Sequence, residues 1–243
     1  MPDPLIEMQN VDALPEDAAA PVLRGLNWRL AAGECWVVAG DQGTGKTAFL
    51  ETAAGLMPPG AGRVRIFGKS VAEAREPEHL AWRKRIGFVF EHGGRLLSHL
   101  TVADNIALPL MYHGGADEQV AAERAGTLLR DAGLGEVAGL LPSRLSRALQ
   151  QRVGLLRAVV MPKEVLCVNQ PIAPRWWART LGEMQARAAE AGQPLSLAVT
   201  TEDFRAWTKL GTHFALLDQG TLRVVGGREQ LLASEDATVR EFR

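Results

Sequence analysis

The residues best suited to chemistry stand together at positions 40–47, in the order Gly40, Asp41, Gln42, Gly43, Thr44, Gly45, Lys46 and Thr47. This pattern is a P-loop: its glycines let backbone N–H groups curve around an anion, and its lysine reaches the terminal phosphates. The last hydroxyl can bind Mg²⁺, and the start of a following helix adds partial positive charge. The segment predicts binding of a nucleoside triphosphate with Mg²⁺, held by Thr47 and the nucleotide.

The elements around this loop predict an α/β fold. A buried strand, Cys35–Ala39, precedes the loop, and a helix is expected from Ala48 to Leu56. Turn residues at 58–62 lead to an alternating strand at 63–68, and a charged stretch without assigned structure extends to Arg85. Later strands are expected at 86–90, 165–168 and 195–199, followed by a hairpin-like pair at 213–225. Because strands alternate with helical segments, including a long one at 96–161 with glycine breaks, the sheet should be mostly parallel.

Composition narrows the class of protein. The 243 residues carry a net charge of −1, which argues against a general nucleic-acid partner. No apolar run approaches the roughly 18–20 residues that cross a bilayer, so direct membrane insertion is not expected. Cys35 and Cys167 lie in apolar strand segments and are expected to be buried thiols rather than a disulfide or a metal site.

Five blocks in order resemble the nucleotide-binding subunit of an ATP-binding cassette (ABC) transporter over nearly the whole chain. They are the P-loop, the segment Ile86–Leu110, the pair Leu145-Ser146, the run Gln150–Ala158 and the closing segment Leu217–Gly220. The tail, Ala233–Phe242, is similar to that of the ATPases that serve MCE-type lipid transporters. The resemblance covers both halves of the chain and so implies one ABC nucleotide-binding domain.

The resemblance implies a RecA-like P-loop core at residues 1–91 and 162–243, an inserted helical signature subdomain at 92–161 and a C-terminal tail at 228–243. It further implies ATP and Mg²⁺ as cofactors, and pairing with itself or a second ABC subunit. A membrane permease subunit would hold the chain on the cytoplasmic face of the cell membrane. Leu96, Leu97 and Leu100 would contact this permease or, equally, pack in the core.

Several positions depart from the family pattern where hydrolysis is performed. Asn169 and Gln170 stand where the family has Asp and Glu, which help to hold Mg²⁺ and polarise the attacking water. Thr201 replaces the switch histidine, and either Glu91 or His92 occupies the lid-glutamine position. General-base assistance is worth about 10²–10⁴ in rate, so the loss of Glu at position 170 predicts weak or absent ATPase activity.

The signature segment departs as well. The family's Leu-Ser-Gly-Gly-Gln becomes Leu145, Ser146, Arg147, Ala148 and Leu149, followed by Gln150. Side chains at 147 and 148 should hinder the close backbone approach to a phosphate that glycine allows. Arg147 is interpreted either as a solvated surface residue or as a phosphate ligand.

Three functions fit the sequence. The first is a cassette subunit of a lipid transporter of the MCE type that binds ATP with poor hydrolysis. The second is an asymmetric partner in a heteromeric transporter, in which only the site built from the other subunit's catalytic residues and this chain's Arg147-Ala148 segment turns over. The third is a P-loop kinase or regulatory switch protein, which the Leu145–Arg152 segment argues against. The base side of the site lacks an aromatic near Leu14-Pro15, which predicts weakened ATP binding.

Overall fold

The computed structural model describes residues 3–243, so Met1 and Pro2 of the predicted core lie outside the described residues. The first of two units contains the chain up to Ile86 together with Glu164–Arg243, and the second is Gly87–Lys163. The sequence-based division placed the first boundary five residues later, at 91, and the second two residues earlier, at 161.

Ten strands and eight α-helices make up the described chain. The strands are β1 (Ile6–Ala13), β2 (Leu23–Leu30), β3 (Cys35–Ala39), β4 (Pro59–Ile66), β5 (Lys69–Ser70), β6 (Ile86–Val89), β7 (Val165–Asn169), β8 (Ser196–Thr201), β9 (His213–Asp218) and β10 (Thr221–Gly226). The helices are α1 (Lys46–Ala53), α2 (Glu76–Arg85), α3 (Val102–Gly114), α4 (Glu118–Asp131), α5 (Arg147–Val159), α6 (Pro174–Glu190), α7 (Arg228–Ala233) and α8 (Ala237–Phe242).

A mostly parallel sheet forms the centre of the first unit. Its strands follow the order β10-β9-β3-β8-β7, in which β3 pairs parallel with β8 and β9, and β7 pairs parallel with β8. Every residue of β3, β7 and β8 is buried, as expected for strands covered on both faces. The predicted α/β fold class is confirmed, and the carboxyl ends of β3, β7 and β8 bring Ala39, Asn169 and Thr201 to one edge of the sheet.

The first unit also holds an antiparallel sheet of order β2-β1-β4-β5. The predicted turn at 58–62 is wrong, because β4 begins at Pro59 and pairs with β1 along its length. Gly62 has φ +80°, and a Cβ there would lie 2.1 Å from the carbonyl oxygen of Asn10. The glycines therefore fit an irregular strand pressed against β1 rather than a connection.

The charged stretch before Arg85 forms α2, which the sequence analysis left without structure. Its first turn holds Glu76 and Glu78 and its last holds Arg83, Lys84 and Arg85, so both ends complement the helix dipole. Trp82 is its buried residue, which is why hydrophobic periodicity gave no signal.

The second unit is built on α3, α4 and α5. Val102, Ile106, Ala125, Leu129 and Val153 are among the buried residues of their shared core. Thr101 caps α3 through a reciprocal pair of bonds with Asp104, and Gly115 ends it with φ +67°. Gly114-Gly115 and Gly133 are the glycine breaks of the predicted helical stretch, and they lie where α3 and α4 end.

The C-terminal segment of the first unit contains α7 and α8, which pack against the rest of that unit. Leu231, Val239 and Phe242 are buried, and the Phe204 N–H donates to the Phe242 carbonyl at 2.6 Å. Among residues 3–243, none of the helices has the length and apolar character needed to cross a membrane.

Candidate functional site

The P-loop lies between β3 and α1 with its glycines in conformations that other residues rarely adopt. Gly43 has φ +84° and Gly45, the residue that caps α1, has φ +91°. The Thr44 hydroxyl donates to the Asp41 carbonyl at 2.8 Å and closes the turn. The loop therefore leads directly into a helix N-terminus, the arrangement that binds phosphate.

Lys46 is folded into the loop. Its side chain is 3% exposed, and its ammonium donates to the carbonyl oxygens of Gly40 and Asp41 at 2.6 and 2.7 Å. A carbonyl oxygen carries only a partial negative charge, so a phosphate, which carries full negative charge, attracts the ammonium group more strongly. The Lys46 ammonium is thus held within the loop, where it can bind an anion.

Asn169 ends β7 and Gln170 follows it, and both lie beside the loop. Asn169 is 1% exposed, and its amide nitrogen lies 3.0 Å from the Thr47 hydroxyl. Gln170 has φ +44° and lines, with Lys46 and Thr47, a pocket of about 290 Å³. The structure therefore brings together the P-loop and the two positions that sequence analysis assigned to metal binding and water activation, and both side chains are uncharged amides.

Thr201 is turned into the core. It is 4% exposed, and its hydroxyl accepts a hydrogen bond of 3.1 Å from the indole N–H of Trp207, which is fully buried. Sequence analysis missed Trp207, although Phe204 and Trp207 after a buried strand are a pattern typical of core packing. The Thr201 hydroxyl stabilises the core, and the pocket beside the P-loop does not include it among its lining residues.

Part of the pocket lining is apolar without being aromatic. Pro15, Val22 and Met57 line it. Trp28 and Trp36 are 4% and 6% exposed and lie in the core, where Trp28 meets Trp36 and Phe49 edge to face. No tryptophan of the described chain lines this pocket, in keeping with the expected weakness of base stacking.

The remaining predicted site residues lie in the second unit. Glu91 is half-buried and its carboxylate lies 3.3 Å from the ring of the exposed His92, so the two candidates for the lid position contact each other. His92 has φ +49°.

The signature segment starts α5. Ser146 caps the helix by accepting from the Leu149 N–H at 3.3 Å, and Leu145 is buried in the helical core. The Gln150 amide donates to the carbonyls of Pro142 and Leu145, which fixes the preceding turn. Arg147, the first helical residue, is exposed, whereas Ala148 is half-buried.

The residues around Thr47 do not fit the usual donor set for Mg²⁺, which favours carboxylate and other oxygen ligands. The group that faces the Thr47 oxygen is the amide nitrogen of Asn169, a donor. Within residues 3–243, no cluster of three His, Cys, Asp or Glu side chains could hold a metal ion. Thr47 lies at the position predicted for it, but the Asn169 side chain that faces it is a neutral amide rather than a carboxylate.

Comparisons with known proteins agree with this geometry. The sequence profile described as ABC transporter matches residues 23–173. The methionine import ATP-binding protein of Caulobacter vibrioides is 32% identical over 242 residues, covering 98% of this chain and 72% of that protein. The macrolide export ATP-binding/permease protein of Syntrophobacter fumaroxidans is 35% identical over 171 residues, covering 69% of this chain and 24% of that protein.

A solved structure extends the agreement to the fold. A bacterial ABC transporter cassette, determined as a dimer, superposes with a TM-score of 0.77 at 26% identity, covering 89% of this chain and 96% of its own. The family profile, the length of the match to an import ATPase and the shared fold point the same way. The chain belongs to the ABC transporter family and corresponds to its nucleotide-binding subunit.

Proposed function

We propose that this subunit binds ATP through residues 40–47 and hydrolyses it slowly or not at all. One observation carries the proposal: an intact P-loop with a buried lysine adjoins strand ends whose side chains are neutral amides and hydroxyls. The loop supplies backbone N–H groups, the start of α1 and the Lys46 ammonium to a polyphosphate. When phosphate arrives, Lys46 exchanges its two carbonyl partners for anionic oxygens.

Hydrolysis requires, besides phosphate binding, a group that accepts a proton from water and a group that contacts the terminal phosphate. Gln170 can orient a water molecule but cannot accept its proton, and general-base assistance is worth about 10²–10⁴ in rate. Thr201 is 4% exposed and its hydroxyl oxygen faces the Trp207 indole in the core rather than the P-loop pocket. Replacing Thr201 by histidine would leave the buried Trp207 indole N–H without its acceptor, so a histidine at this position would destabilise the core.

The test is calorimetry with ATP together with steady-state phosphate release from the purified chain. We expect measurable ATP binding, phosphate release at background, and binding weakened about 10²–10³-fold in Lys46→Ala, because hydrogen bonds to charged groups contribute about 1.5–3 kcal/mol each. Lys69→Ala, which removes an exposed ammonium paired with Glu78, is the matched control and should bind as wild type. Turnover near 1 s⁻¹ or above that disappears with Lys46→Ala, within the usual enzyme range of roughly 1–10³ s⁻¹, would contradict the proposal.

We also propose the partners that the family organisation requires: a second ABC subunit, either another copy or a different chain, and a membrane permease that holds the protein at the cytoplasmic face of the membrane. In the second unit, Leu97 is 37% exposed while Leu96 packs partly against the helical core, so Leu97 is the better candidate for a permease contact. Leu97→Asp should abolish co-purification with the cognate permease, whereas Val120→Asp on α4 should not.

A heteromeric arrangement is favoured by the signature segment. The Ser146 cap and the start of α5 are retained, and the exposed Arg147 can offer a guanidinium in place of bare glycine backbone. Mixing the chain with an intact cassette subunit should then yield ATPase activity that Arg147→Glu lowers. A lipid as the transported substrate rests on the tail residues Ala233–Phe242 alone, and methionine and macrolides are the substrates named for the relatives described above.

A further inference from the structure

A chain of hydrogen bonds links the end of β7 to the P-loop hydroxyl. The Gln170 backbone N–H lies 3.1 Å from the Thr200 hydroxyl oxygen, which lies 2.7 Å from the Asn169 carbonyl oxygen. The Asn169 amide nitrogen lies 3.0 Å from the Thr47 hydroxyl oxygen. Thr200 is fully buried and Asn169 is 1% exposed, so these groups depend on one another for partners.

The direction of these hydrogen bonds follows from the Gln170 backbone N–H and from the one hydrogen of the Thr200 hydroxyl. A backbone N–H only donates, so the Thr200 oxygen accepts from Gln170, and the buried Thr200 hydroxyl hydrogen has the Asn169 carbonyl oxygen as its acceptor. The Asn169 oxygen therefore faces Thr200, and its NH₂ group faces Thr47. Thr47 accepts this bond, which leaves its own hydroxyl hydrogen free to donate to another acceptor.

An aspartate at position 169 would reverse the direction of the hydrogen bond with Thr47. Its carboxylate would accept the Thr47 hydrogen, and its negative charge would favour a cation beside the threonine oxygen. Asn169 instead presents the positive end of an amide dipole at this place and directs the Thr47 hydrogen outward. An outward O–H, together with the Lys46 ammonium, suits anionic phosphate oxygens rather than Mg²⁺.

We propose that this P-loop binds the polyphosphate of a nucleotide without a bound divalent cation. The inference rests on the proposed function, because it requires that ATP binds at residues 40–47. Its ligand class is the metal-free nucleoside triphosphate or diphosphate, with Thr47 as a hydrogen-bond donor to phosphate. Glu51, four residues after Thr47, is the acidic residue in the pocket lining, and binding of a cation through it would make the wild type depend on Mg²⁺.

The test is isothermal titration calorimetry of ATP into the full chain, once with EDTA and once with excess MgCl₂. For wild type we expect the two Kd values to agree within about threefold, because the chain adds no charged ligand for the metal. For Asn169→Asp we expect ATP to bind about tenfold or more tightly with Mg²⁺ than with EDTA, because the carboxylate restores a cation ligand and repels free polyphosphate. Asn27→Asp, an added charge on the exposed side of β2, should behave as wild type.

A second readout protects the test against misfolding of Asn169→Asp, in which a charge is buried. Titration of Mn²⁺ into wild type with ATP, followed by electron paramagnetic resonance, should show no immobilised Mn²⁺ beyond that of Mn²⁺ and ATP alone. A divalent cation that bridges protein and phosphate should make ATP binding to wild type about tenfold or more weaker in EDTA. That result would overturn this inference but leave the proposed function standing. Absence of ATP binding in both buffers would overturn the proposed function and the inference with it.

Discussion

The carboxyl ends of β3 and of β7 and β8 lie at the same edge of one parallel sheet but differ in chemistry. After β3 the chain forms a glycine loop with a buried ammonium, and nearly every feature of it attracts an anion. After β7 and at the end of β8, Asn169, Thr200 and Thr201 are buried and neutral, with hydrogen bonds to one another, to Thr47 or to Trp207. The groups of the first region are arranged to bind an anionic ligand, whereas the polar groups of the second region have hydrogen-bond partners within the protein.

On the proposed function, this difference separates phosphate binding from hydrolysis. Phosphate binding depends on backbone N–H groups, a helix start and one lysine, none of which requires a charge at the neighbouring strand ends. Hydrolysis and metal binding depend on charges at the neighbouring strand ends, and here those positions carry groups of similar size without the charge. A buried neutral network is stable only when each polar group has a partner, which is the case for the groups that connect Gln170, Thr200, Asn169 and Thr47.

The largest expected effect on stability comes from the loop glycines. Gly45→Ala should lower the free energy of unfolding by about 2–4 kcal/mol, because it combines a left-handed backbone with a Cβ placed 2.9 Å from Leu23. Gly43→Ala has the same backbone strain but no atom within 4 Å of the added Cβ, and should cost about 1–2 kcal/mol. Urea unfolding measures both. Equal losses would show that backbone strain alone sets the loop conformation.

The next effect tests the neutral network. Thr201→Val keeps the shape but removes the acceptor for the buried Trp207 N–H, which should cost about 1–3 kcal/mol. Adding Trp207→Phe should make the loss at position 201 nearly vanish, since the unpaired donor is then gone. Thr221→Val, at an exposed hydroxyl that donates to Asp218, should change stability by less than about 0.5 kcal/mol. An undiminished Thr201→Val loss in the Trp207→Phe background would contradict the assigned role of the hydroxyl.

The smallest effect concerns the opposite, charged end of β7. Arg85 donates two hydrogen bonds to the Glu164 carboxylate, at 2.5 and 2.8 Å, and these bonds hold the pKa of Glu164 below its usual value. Both side chains are more than 40% exposed, so solvent screening limits the pair and Glu164→Gln should cost at most about 1 kcal/mol at pH 7.

The sign of the pH dependence follows from that lowered pKa. The stabilisation is fully present above the unfolded-state value, about 4.3, and is lost as pH falls through the folded-state pKa. Chemical denaturation at pH 7 and near pH 3 should therefore show the gap between wild type and Glu164→Gln closing in acid. Glu76→Gln, whose longer and more exposed contact with Arg83 is 3.6 Å, should give a smaller gap, and a gap that did not change with pH would contradict the assignment to the ion pair.

Local features of the sequence predicted much of the molecule. The P-loop, the buried strands and the helix end at Gly115 depend on residues close together in the chain, so their patterns are readable without a structure. Local patterns failed at α2, where a single buried tryptophan leaves no periodicity, and at β4, where contact with β1 overrides the turn preference of glycine and proline. In both places tertiary packing decided the conformation.

The sequence by itself determined that positions 169, 170 and 201 carry asparagine, glutamine and threonine, and the prediction of weak hydrolysis rests on these uncharged side chains. Only the tertiary structure decided what these residues do instead. Asn169 and Thr47 are 122 positions apart in the chain, and the direction of their hydrogen bond follows from Thr200 on a neighbouring strand. Residue identity specifies which charges are present, but the direction of a hydrogen bond between distant residues depends on partners that only the fold brings together.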